Sequence, residues 1–77
     1  MKELTEYIAR SLVDFPDEVT VIETQRGGRV SLELFVAKED MGRVIGKGGR
    51  VANAMRTLVR VAANQSGSQA NLEIVES

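Results

Sequence analysis

Three of the four residues in Gly46-Lys47-Gly48-Gly49 are glycine, and the run stands between two stretches whose apolar residues recur at helical spacing. No helix continues comfortably through it, because each glycine in a helix interior costs about 1 kcal/mol relative to alanine. Two helices must therefore stop and reverse here, and the rest of a 77-residue chain has to be arranged around that turn. A chain of this length forms one domain, residues 1–77, and buries only about 60% of the surface its unfolded form exposes. Small domains often compensate with disulfides or a metal, but this sequence has no Cys and no His. Good packing or self-association is the stabiliser left. The same absence removes thiol nucleophiles and imidazole bases, no other nucleophile stands beside a base, and the carboxylates are scattered. An enzyme is not expected, nor a cofactor or metal. No apolar run approaches a membrane span and no apolar leader core follows Met1-Lys2-Glu3, so a soluble cytoplasmic protein is expected.

The elements on either side of the turn read clearly. Leu4, Tyr7, Ile8 and Leu12 give one apolar stripe to a first helix from about Glu3 to Val13, which Asp14-Phe15-Pro16-Asp17 ends. Val19 to Thr24 and Val30 to Val36 are β-branched and alternating, and Gly27-Gly28 supplies the positive φ angles of a hairpin between them. Lys38-Glu39-Asp40 opens a short helix running to about Ile45, its carboxylates complementing the helix dipole. After the glycines a longer helix runs from about Arg50 to Asn64, and Ala70, Leu72 and Ile74 alternate in a last strand. The order is α-β-β-α-α-β, an α+β fold. The crossover makes the second and third strands parallel neighbours in a three-stranded mixed sheet covered on one face by three helices.

The net charge of −1 conceals an uneven distribution. Residues 1–40 sum to −4, residues 41–72 to +5 and residues 73–77 to −2. The middle block holds Arg43, Lys47, Arg50, Arg56 and Arg60 without a carboxylate, a local positive field centred on the glycines. A Walker phosphate loop needs four residues between its first Gly and the Gly-Lys pair, and three lie between Gly42 and Gly46; a dinucleotide fingerprint would need Gly where Val51 stands. A plain connection between two helices explains the glycines but not Arg50, a cation at the dipole end that disfavours it. A phosphate bound at the turn turns that penalty into attraction.

The motif Gly42-Arg43-Val44-Ile45-Gly46-Lys47-Gly48-Gly49-Arg50, lodged in this order of elements, closely resembles the Gly-x-x-Gly turn of a type II K homology (KH) domain. With Ala54-Met55-Arg56-Thr57-Leu58-Val59 after the turn, the whole chain resembles the small bacterial single-domain KH proteins of the KhpA/YlqC family. The resemblance implies a cytoplasmic protein that binds single-stranded RNA and acts as an RNA chaperone or post-transcriptional regulator. It also implies a dimer, or a heterodimer with a larger Jag-type (KhpB-like) KH protein. Carried onto this chain, the RNA-binding residues are Gly42, Arg43, Val44, Ile45, Gly46, Lys47, Gly48, Gly49 and Arg50, engaging about four nucleotides. The family usually has a bulkier or polar residue where Gly48 stands, which implies a more flexible loop with a weaker grip. The alternative is a protein-interaction module that keeps the fold and has little RNA affinity.

With three aromatic residues, Tyr7, Phe15 and Phe35, base stacking cannot carry recognition. A groove lined by Val44 and Ile45 on one side and alternate residues of the second strand on the other is expected instead, with Phe35 either in that groove or beneath the first helix. On the long helix the apolar residues span an arc of about 200°, twice what a surface helix needs. The ridge Val51, Met55, Val59 and Ala62 is expected on the sheet, leaving Ala54, Leu58 and Val61 as a homodimer interface, while Arg56 and Arg60 are read as solvated.

Overall fold

The computed structural model describes residues 1–77. Helix α1 (Lys2–Leu12) buries Thr5 and Ala9, and a short 3-10 turn at Pro16–Glu18 leads into the hairpin of β1 (Thr20–Arg26) and β2 (Arg29–Val36). A second 3-10 turn, Lys38–Asp40, precedes α2 (Met41–Ile45); a third, Lys47–Gly49, precedes α3 (Arg50–Gln65), and β3 (Gln69–Glu76) closes the chain. The order matches the one read from the sequence. Both hairpin strands are longer than expected, by Gln25-Arg26 and by Arg29, and only Gly27 takes a positive φ. Tight turns of this size can be closed with a single left-handed residue.

The sheet order is β1-β2-β3, with β1 antiparallel and β3 parallel to β2. Because β2 is central, its core-facing residues Val30, Leu32, Leu34 and Val36 are shielded on both sides as well as from above, and all are at most 2% exposed. They meet Met55 and Val59 of α3, Ala9 of α1 and Val44 of α2 in one cluster. The long helix buries Ala52, Met55, Val59 and Ala63. The expected ridge is thus rotated slightly: Val51 and Ala62 are half-buried flanks, and the small Ala52 and Ala63 take the places closest to the core.

The other face of the sheet has no helix on it. In the strand register, Thr20, Phe35 and Val75 form one row across it, then Ile22, Glu33 and Glu73, then Thr24, Ser31 and Asn71, then Arg26, Arg29 and Gln69. Phe35 therefore lies neither beneath α1 nor beside the glycine turn. It is half-buried among its strand neighbours on the open face, because alternation places it opposite Leu34 and Val36.

Asp40 stands in a first turn as read, but it has a second part there. It is wholly buried, and its carboxylate accepts the backbone N–H groups of Asp14 (2.9 Å) and Phe15 (3.0 Å). A charged acceptor satisfying two donors this way forms the stronger class of hydrogen bond. It fastens the connection between α1 and β1 to the head of α2.

Candidate nucleic-acid interface

Helix α2 ends at Gly46, whose N–H donates to Gly42 O at 2.9 Å while its φ of 76° turns the chain sharply away. A Cβ on Gly46 would lie 2.5 Å from Val51 Cγ2 and 2.9 Å from the Val51 backbone nitrogen. Both the dihedral and the contact require glycine. The absence of a Cβ here is thus first a condition for packing α2 against the start of α3. The N–H of Gly49 then donates to Gly46 O at 3.1 Å, and α3 begins at Arg50 with no side chain capping its first turn. The Arg50 N–H donates to Lys47 O, and the amides that follow it carry the partial positive charge of a helix start, which favours an anion in front of them.

The nine residues of the motif do not share one surface. Lys47, Gly48 and Arg50 are exposed, and neither cation has a carboxylate within ion-pair distance. Val44 is 0% exposed and belongs to the core, so it positions the turn and cannot line a groove. Its neighbour Ile45 is 37% exposed and does reach the surface. Residues of β2 cannot form the opposite wall either: half of them are sealed beneath the helices and the other half face the bare side of the sheet. The surface has two cavities, both at the hairpin end of that bare side, and neither touches the turn. The site is an exposed turn with an apolar shoulder at Ile45.

The positive field is also smaller than the charge count. Arg43 donates to Asp14 Oδ2 at 3.0 Å and lies 3.9 Å from Asp40 Oδ1. Arg43 and Asp14 are both more than half exposed, and such a surface pair is worth about 0–1 kcal/mol, so the Asp14 contact by itself holds the guanidinium only weakly. Arg56, read as solvated, instead donates from Nε to Leu72 O (3.2 Å) and from Nη1 to Asn53 Oδ1 (3.2 Å), pinning α3 to β3. Lys47 and Arg50 are left as the free charges at the turn. On the outer side of α3, Leu58 and Val61 are 51% and 50% exposed, and Ala54 one turn earlier is exposed too. Sequence reasoning missed Asp40 and Arg56. The contacts that decide their roles are distant in sequence: Asp40 accepts from residues 26 and 25 positions away, and Arg56 reaches Leu72, 16 positions away.

Residues 2–74 match the family model described as KhpA/KhpB, KH domain. The chain belongs to this KH-domain family. It is 52% identical over 75 residues to the RNA-binding protein KhpA of Clostridium acetobutylicum, covering 97% of this chain and all of that one. It is 51% identical to the RNA-binding protein KhpA of Treponema pallidum over 97% of this chain and 94% of the relative, and 46% identical to that of Halalkalibacterium halodurans over 99% and 100%. These relatives are named for binding rather than for an enzymatic activity. The α-β-β-α-α-β order with parallel β2 and β3 is the type II arrangement of the KH fold. No helix is long and apolar enough to cross a membrane.

The glycine contacts yield a paired prediction. Gly46→Ala places its methyl against Val51 and forces an L-residue into left-handed backbone, and should cost about 2–4 kcal/mol in urea unfolding. Gly42→Ala, inside α2 with nothing within 4 Å of the new Cβ, should instead be neutral or add about 0.5–1 kcal/mol. Equal stability of the two variants would contradict the packing role of Gly46.

Proposed function

We propose that this protein binds single-stranded RNA at the Gly46–Gly49 turn, with a phosphate before the uncapped start of α3 and Lys47 and Arg50 on either side. One observation carries the reading: two unpaired cations flank a helix start that no side chain caps, in a turn whose Gly46 packs on Val51, on a chain whose relatives are named RNA-binding proteins. Arg43 joins by exchanging Asp14 for phosphate. Gly42, Gly46, Gly48 and Gly49 keep the backbone bare for close approach, Val44 holds the turn from below, and Ile45 offers an apolar shoulder to a base. A turn of this size engages about four nucleotides with modest affinity. That grip suits an RNA chaperone or post-transcriptional regulator of the cytoplasm, strengthened by a second RNA-binding subunit through effective concentration.

The exposed face Ala54, Leu58 and Val61 supports the second subunit. These residues follow at i, i+4 and i+7 on one side of α3, and half of each larger side chain is in water. Our reading is a homodimer through this face; a Jag-type KhpB-like KH protein is the other occupant the same face would take.

Two measurements test these statements. Lys47→Asp with Gly48→Asp should lower affinity for a short single-stranded RNA at least tenfold, with the fold retained, because aspartate is among the residues that tolerate the backbone at Gly48. Added salt should weaken the wild type along a steeper slope than the variant. Equal affinities in a fluorescence titration would leave the protein-interaction reading as the better one. For the interface, Leu58→Asp should give a folded monomer of half the wild-type mass by light scattering, and an unchanged mass would refute the α3 dimer.

A further inference from the structure

The open face of the sheet ends in two arginines that stand directly opposite each other. Arg26 and Arg29 are the last paired residues before the hairpin turn, and like charges in that relation repel. Neither has a carboxylate within ion-pair distance. Both line cavities. One, of about 340 Å³, is bounded by Thr24, Arg26, Arg29 and Ser31; the other, of about 360 Å³, by Arg29, Ser31, Gln69, Ala70 and Asn71. Arg29 and Ser31 belong to both, so the two are one trough across all three strands.

The lining chemistry is that of an anion site. Two guanidinium groups offer forked donors, and Thr24, Gln69 and Asn71 add hydroxyl and amide donors. Ser31 Oγ donates to Asn71 Oδ1 at 3.1 Å, which occupies the amide oxygen and leaves the amide NH2 to the trough. The frame is fixed, because the Gln69 N–H donates to Gly28 O at 2.7 Å and ties β3 to the hairpin. No carboxylate lines either cavity; Glu33 and Glu73 begin only in the next row of the sheet.

We infer that this trough is a second phosphate-binding site, which holds the backbone of a single-stranded RNA segment flanking the one at the glycine turn. The inference rests on the RNA-binding reading above but uses none of its residues. The trough lies on the open face at the hairpin end of β2 and the turn lies on the helix side, past α2, which follows the strand's other end; the eight residues of β2 between them span about 25 Å at about 3.3 Å per residue. A strand of about four nucleotides at the turn does not reach the trough. A strand of sixteen does: even at the close spacing of about 3.4 Å per nucleotide it is about 50 Å long, against a molecular long axis of 35 Å.

Arg26→Glu with Arg29→Glu, two exposed substitutions in the hairpin, should therefore leave affinity for a tetranucleotide within twofold of wild type. The same variant should lose at least fivefold in affinity for a sixteen-nucleotide RNA, and its log–log salt slope should fall by about 1.4, the value for two phosphates on a single strand. Melting curves of the variant and of the conservative Arg26→Lys, Arg29→Lys control establish that the fold is kept. Unchanged affinity for the long strand overturns the inference alone and leaves the turn site standing. Equal losses for both lengths overturn it as a local site. Failure of the wild-type protein to bind either length overturns both readings. Perturbation of the Arg26 and Arg29 amides by a hexaglutamate peptide but not by the long RNA overturns it in favour of an acidic protein partner.

Discussion

The close approach of Gly46 to Val51 sets how α2 turns into α3, and the site depends on it. Helix α2 is five residues long, far below the length at which a helix holds itself together in water. It persists because both ends are fastened. At its head the buried carboxylate of Asp40 holds the backbone of Asp14 and Phe15; at its tail the bare backbone of Gly46 packs on Val51. Between them Val44 is driven into the core. A turn anchored at its base this way requires less ordering on binding than a free loop, while Gly48, with nothing packed on it, leaves the tip the more adaptable part.

The same fastening decides which charges remain available. Arg43 spends its guanidinium on Asp14 and Asp40, and Arg56 spends its own on Leu72 O and Asn53. Lys47 and Arg50 stand free at the turn, beside a helix start that no side chain caps. The acidic remainder of the surface confines attraction to small areas, which favours docking of a strand at defined points over adsorption on a broad basic face.

Much of this was legible in the residues. Alternation and helical spacing are local properties, and they returned every element in the right order, including the parallel pairing of β2 and β3 that the crossover demands. The glycine motif marked the turn, and the apolar surplus on α3 marked Leu58 and Val61 as exposed. What was not legible depends on distant contacts. Asp40 reads as an ordinary helix-start carboxylate until the α1–β1 connection folds over it. Val44 and the alternate residues of β2 read as groove walls until the central position of β2 seals them. Phe35 takes the open face because its parity in the strand outweighs its hydrophobicity. Arg26 and Arg29 are unremarkable in a charge count, and only the hairpin register sets them opposite each other.

The central claim is that an RNA strand is met by the backbone of the turn and the first residues of α3. The most direct measurement follows the amide resonances of the 15N-labelled protein as a single-stranded tetranucleotide RNA is added. The account predicts that the largest shifts fall on Ile45 to Ala52, while the strand amides from Val30 to Leu34 stay in place. Saturating shifts confined to the Leu58 side of α3, with Gly46 to Arg50 unmoved, would contradict it.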